Sequence, residues 1–173
     1  REEEKDIKVI CTGCGIFLRD VPSDKFSDNV VSHGLCETCG FHFQAQAGMN
    51  LSEYLEGIQA PVVTVTPEGT INSANSKALD LLSKSPAKIQ GQKGGDVFEC
   101  EYAKLPEGCG ETEHCSGCTI RNTVMDTLKT GNPHDKVRAY LQRDMDGKSA
   151  KVPLCISTEK KGGVVFLKID EIG

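Results

Sequence analysis

Nine cysteines in 173 residues constrain this chain more than any other feature, because eight of them fall into two quartets. Cys11, Cys14, Cys36 and Cys39 form the first, Cys100, Cys109, Cys115 and Cys118 the second, and Cys155 stands apart. A small secreted disulfide scaffold spreads its cysteines more evenly, whereas C-x-x-C pairs in a reducing compartment point to metal or redox chemistry. Two four-thiolate sites are therefore expected. In the first, Cys11-Thr-Gly-Cys14 and Cys36-Glu-Thr-Cys39 each offer two thiolates from one tight turn, and Gly15 and Gly40 suit the bend that frees amides for the sulfurs. Two such turns clamp a tetrahedral ion, and Zn²⁺ is the first expectation. Iron, or a disulfide or unliganded state, is the alternative. A segment this short buries too little surface to fold unaided, so a metal would supply the difference. Phe17, Leu18, Phe26, Phe41 and Phe43 would gather around it, with His33 at the surface.

In the second quartet, Gly108, Gly110 and Gly117 let a loop over 100–118 fold back on itself. Cys118 precedes a predicted helix, whose N-terminal dipole favours a thiolate. Three chemistries compete for these ligands. An iron–sulfur cluster takes four Cys thiolates. A second zinc ion takes the same set and is purely structural. A Cys115–Cys118 dithiol could instead switch by disulfide formation or act as a thiol-disulfide oxidoreductase. Thr119 follows Cys118 where covalent haem attachment needs His. His114 reads as a solvated loop residue, Glu99, Glu101, Glu111 and Glu113 as solvated charge, and Cys155 as a small core residue.

The remaining composition narrows the class. With 38% hydrophobic and 26% charged residues the chain suits a globular protein. Its 20 basic and 25 acidic side chains give −5, which disfavours nucleic acid as a partner. No apolar run approaches the roughly 20 residues of a membrane span. The charged start, Arg-Glu-Glu-Glu-Lys-Asp, is unlike a signal peptide, and Arg1 in place of Met suggests a fragment or processed chain; a cytoplasmic location is expected. There is no phosphate loop, serine elbow or H-E-x-x-H, so no catalytic residues are assigned and the chain is not expected to be an enzyme.

Periodicity divides the chain into a four-Cys segment (1–45), a linker and amphipathic helix (46–60) and a larger domain (61–173). Leu51, Leu55 and Ile58 share one helical face within 44–59, and Pro61 stops that helix. Pro61–Thr66 and Thr70–Ala74 read as strands around Pro67-Glu68-Gly69. Asn75 or Ser76 caps a short helix through Leu82, and Ser85-Pro86 opens another. Ile120, Val124 and Leu128, with Gly131 behind them, define a helix over Thr119–Thr130. Strands at Lys136–Arg143, Ala150–Thr158 and Val164–Ile169 follow, joined by Asp146-Gly147 and Lys160-Lys161-Gly162-Gly163, the lysines reading as turn decoration. The order predicts an α+β fold: a five-stranded antiparallel sheet with helices on one side, behind a small zinc-ribbon-like domain.

Residues 51–172 resemble a PAS domain, the sensor fold of many bacterial histidine kinases. The helix into Pro61-Val62-Val63, Gly69-Thr70-Ile71, and Asn75 with Ala78 and Leu82 carry the likeness. Ile89-Gln90-Gly91, Val97-Phe98 and Asp146-Gly147-Lys148 complete it. Thr66 departs from the pattern, where such domains often carry Asp before the turn, and a turn-stabilising contact is expected to be lost. The first quartet resembles rubredoxin knuckles and cysteine-rich segments beside bacterial sensor modules. Gly108-Cys109-Gly110 with His114-Cys115-x-x-Cys118-x-Ile120-Arg121 resembles a cysteine-bearing loop in a subset of PAS sensors. The resemblance implies a sensory module of a signal-transduction protein, reporting redox or metal status at the second quartet, with a homodimer through Leu51–Ile58 and a downstream output domain. A metal-stapled interaction scaffold without sensing is the alternative.

Overall fold

A computed structural model describes residues 7–11, 16–21, 31–34 and 50–173, and the chain divides into two compact units, Arg1–Asn50 and Leu51–Gly173. In the first, strand β1 (Ile7–Cys11) pairs antiparallel with β2 (Phe17–Val21) and parallel with β3 (Val31–Gly34). Val9 and Cys11 are buried there. Of the first quartet, Cys14, Cys36 and Cys39 lie outside the described residues, and so does the zinc site expected on them.

The second unit begins with helix α1 (Leu51–Glu56) and strands β4 (Val62–Val65) and β5 (Ile71–Ala74). Three short helices follow: α2 (Ser76–Leu82), α3 (Pro86–Ile89) and α4 (Gly94–Val97). The expected loop at 100–118 contains two single turns of 3-10 helix, Glu101–Lys104 and Glu113–Gly117. Helix α5 (Thr119–Thr130) then leads into β6 (His134–Met145), β7 (Lys148–Lys161) and β8 (Val164–Ile172). The sheet runs β5-β4-β8-β7-β6 with every neighbour antiparallel. This is the five-stranded PAS-like fold.

Local chemistry explains the boundaries. Gly69 takes φ 80° in the β4–β5 turn, a conformation costly for any residue with a Cβ. Thr66 does not weaken this turn: its hydroxyl bonds the Thr70 hydroxyl at 2.9 Å and receives the Thr70 amide at 3.4 Å. Asn75 caps α2 through a bond from the Ala78 amide, and Gly131 closes α5 in the left-handed region, its N–H returning to Thr127. Asp146 and Gly147, at φ 54° and 81°, form the β6–β7 turn.

One sheet face carries the core. Val63, Val65, Leu141, Ile156 and Leu167 meet Ala78, Ile89, Val97, Phe98 and Val124 from the helices that follow β5. Sheet alternation turns Phe166 to the reverse face, where the Tyr54 ring of α1 meets it at 5.8 Å between centroids. Lys161 is not turn decoration. It is 2% exposed, its Nζ lying 3.2 Å from the Tyr54 hydroxyl and 3.3 Å from a Glu159 carboxylate oxygen. A lysine buries its methylenes readily when its ammonium keeps polar partners. Lys160 also leaves the turn, donating to the Leu128 carbonyl at 2.8 Å. Cys155 is half-buried, on the opposite side of β7 from Leu154 and Ile156. Residues 44–49 of the predicted helix lie outside the described residues. Leu55, central to the expected dimer face, is fully buried within the chain. Among the described residues no helix is long and apolar enough to cross a membrane.

Candidate functional site

The second quartet converges. Cys100, Cys109, Cys115 and Cys118 all line one cavity of about 440 Å³, whose apolar floor includes Val65, Phe98, Val124, Leu141 and Leu167. Helix α4 places the first pair. The Gly95 carbonyl accepts from the Cys100 amide at 2.7 Å, and the Gly95 amide donates to Cys109 Sγ at 3.2 Å. Gly108 and Gly110, at φ 77° and 94°, turn the chain sharply on both sides of Cys109. The second pair sits at the entry to α5. Cys115 Sγ receives the Gly110 amide at 3.1 Å and lies 3.2 Å from the Thr112 hydroxyl, while Cys118 caps α5 and accepts from the Arg121 amide at 3.5 Å. The amides of Tyr102 and Ala103 face the Cys100 sulfur. Cys109, Cys115 and Cys118 thus each accept a backbone N–H.

These surroundings divide the thiols. Burial lifts Cys100 above its ordinary value, reinforced by Cys118 and Cys115 and opposed by the two amides. Burial lifts Cys109 likewise, against the Gly95 amide. At Cys115 burial pushes the same way, but the Thr112 hydroxyl, the Gly110 and Thr112 amides and the Arg121 charge outweigh it, and the thiol ends below its ordinary value. Hydrogen-bonded thiolates are the form that binds soft metals. Among the described residues no three Cys, His, Asp or Glu side chains close on a single-ion site. The four thiols border a volume rather than a point, and none is in a disulfide.

Several neighbours escaped the sequence. His114 is not merely solvated: its ring stacks on Tyr102, with centroids 4.0 Å apart and planes 13° off parallel, and both line the cavity. Glu99 and Glu101 are tethers, not free charge. Glu99 bonds Lys84 and Arg143, and Glu101 accepts from the Ser149 hydroxyl, so the residues on both sides of Cys100 are pinned to the β6–β7 hairpin. Glu99 holds φ 60°, an unusual backbone for a side chain with a Cβ. The Lys84 and Arg143 bonds hold its carboxyl below the ordinary 4.5. A depressed carboxylate contributes stability above its unfolded pKa and loses it as pH falls through the folded value. Glu99→Gln is therefore expected to cost up to about 1 kcal/mol at pH 7, the range for exposed pairs, and progressively less below pH 4.5. Urea unfolding of both proteins across that range checks it; an unchanged gap at acid pH would refute the tether.

The fold defines the class: residues 51–173 form a PAS-like domain. No protein-family model matches the chain, and no curated protein does. Solved structures do resemble it. The photoactive yellow protein domain of the sensor histidine kinase Ppr from Rhodospirillum centenum aligns at 16% identity over 72% of this chain and 96% of that one, with a TM-score of 0.42. The PAS domain of Bordetella pertussis BvgS aligns at 10% identity over 76% and 88%, with a TM-score of 0.45. The PAS domain of nitrogen regulation protein NR(II) from Vibrio parahaemolyticus aligns at 15% identity over 72% and 100%, with a TM-score of 0.42. At such identities the likeness is one of chain course and reaches neither ligand nor signal.

Proposed function

We propose that residues 51–173 are a non-catalytic sensory module whose signal is the redox or metal status of a group held by Cys100, Cys109, Cys115 and Cys118. An iron–sulfur cluster is the group the site suits best. One observation carries this reading: four thiols of the 100–118 loop line a single cavity, and three of their sulfurs accept a backbone N–H. Four Cys ligands are the usual cluster set, and donors to the sulfurs tune its potential. The tethers beside Cys100 give the reading a mechanical outlet, since displacement of that ligand would pull on Arg143 of β6 and Ser149 of β7.

Anaerobic purification of the 173-residue chain, followed by iron, sulfide and zinc analysis and a visible spectrum, tests the proposal. About four iron and four sulfide per chain are expected for a [4Fe–4S] site, bleaching in air and lost in Cys118→Ser. A colourless, oxidant-insensitive chain carrying zinc alone would favour the scaffold. An empty site with a mixed disulfide trapped at Cys115 in Cys118→Ser would favour a thiol oxidoreductase. Either result overturns the proposal.

A further inference from the structure

Two cations stand beside the quartet without an acidic partner. Lys93 and Arg121 are half-buried and line the cavity. Among the described residues neither forms an ion pair or a side-chain hydrogen bond, although Glu68 and Glu111 line the same cavity. Both are aimed at one spot. A Cβ built on Gly110 would lie 3.5 Å from Arg121 Nε and 3.9 Å from Lys93 Nζ. Gly110 is also the residue whose amide reaches Cys115 Sγ at 3.1 Å. The backbone fixes both positions: Lys93 forms an isolated antiparallel bridge with Thr70, and Arg121 lies in the first turn of α5, its amide on Cys118 Sγ. Partly desolvated cations without carboxylates are costly unless an anion lies nearby.

The geometry points to Lys93 and Arg121 as the counter-charges of the four-cysteine site, raising the reduction potential of the group bound there. The inference rests on the function proposed above. Four thiolates outweigh the positive charge of a cluster core, so the loaded site is anionic, and an added electron makes it more so. A cation in the cavity wall favours the reduced form over the oxidised one, and a partly desolvated wall transmits that preference better than bulk water. Gly110 lies against both cations, where a Cβ would make only ordinary contact with them but would strain a backbone at φ 94°.

Redox titration followed by visible absorption, on the anaerobically purified full chain, tests this. Lys93→Gln and Arg121→Gln are each expected to disfavour the reduced form about tenfold, a fall of about 59 mV for a one-electron couple. The double variant should fall further, and Arg121→Lys should recover most of the single loss. The potential is read on the loaded fraction, so altered loading does not hide it. Potentials unchanged in both glutamine variants, with iron bound, would overturn the counter-charge role and leave the proposed function standing. A parent chain without iron at these cysteines would overturn both.

Discussion

Replacing Asn75 with Ala is expected to lower the unfolding free energy of the Leu51–Gly173 unit by about 3–5 kcal/mol and its melting temperature by roughly 10–20 °C. Asn75 is fully buried, and its amide group meets five backbone groups. Oδ1 accepts from Val62 N–H at 3.1 Å and Ala78 N–H at 3.0 Å, while Nδ2 donates to the carbonyls of Leu55 at 3.3 Å, Ile58 at 3.3 Å and Ala60 at 2.8 Å. One side chain therefore starts α2, begins β4 and holds the segment between α1 and β4. Truncation strands buried donors and acceptors, each costing about 1–3 kcal/mol where water does not reach. Asn75→Asp separates the two halves of the network. It keeps both acceptor bonds but sets a carboxylate against three carbonyls, and is expected to remain at least about 2 kcal/mol below the parent at pH 7. Denaturant unfolding decides. A loss below about 1 kcal/mol for Asn75→Ala would show that these backbone groups find other partners.

Asn75 also marks where sequence reading reaches and where it stops. Its cap on α2 is local, three residues from donor to acceptor, and such signals were legible. The same holds for the strand run Val62–Val65, the left-handed Gly69 and Gly131, and the Ile120, Val124 and Leu128 stripe of α5. The three carbonyl bonds to the α1 segment span 15 to 20 residues and leave no trace in pattern. Lys161 illustrates the same limit: its turn-like neighbours Gly162 and Gly163 set the local expectation, but a tyrosine over 100 positions away receives its ammonium. Thr66 shows the converse. A departure from a familiar pattern predicted a lost contact, yet the Thr66 and Thr70 hydroxyls restore it between themselves. At the site, cysteine spacing singled out four thiols, and the fold sets all four in the wall of one cavity. Spacing did not identify the groups that hold them, since glycine and glutamate are common residues whose roles here depend on what the fold brings near.

Gly95 carries that point into a measurable contrast with its neighbour. In sequence Gly94-Gly95 is one chain-breaking pair, yet in the fold the two glycines begin the same short helix and differ in what surrounds them. A Cβ on Gly94 would meet nothing within 4 Å, whereas one on Gly95 would lie 2.7 Å from Cys109 Sγ, 2.8 Å from Cys109 Cβ and 3.0 Å from Ala103 Cβ. Real Cβ atoms do not approach so closely. Gly95 has little freedom to withdraw, because its carbonyl and amide hold Cys100 and Cys109 at the same time. Gly95→Ala must therefore push Cys109 away from the quartet or tilt α4 off the core. The expected cost is about 1–3 kcal/mol of stability, the range for overpacking, together with, on the function proposed above, a loss of about 10- to 100-fold in affinity for the cluster. Gly94→Ala, by contrast, is expected to be neutral or to stabilise by up to about 1 kcal/mol through reduced backbone entropy of the unfolded chain. Denaturant unfolding reads the first effect whether or not metal is bound, and iron content after anaerobic purification reads the second. If Gly95→Ala matches Gly94→Ala in stability, the contact with Cys109 is not tight. If it unfolds more easily but binds iron as well as the parent, the place of Cys109 in the cavity wall is not what the bound group depends on.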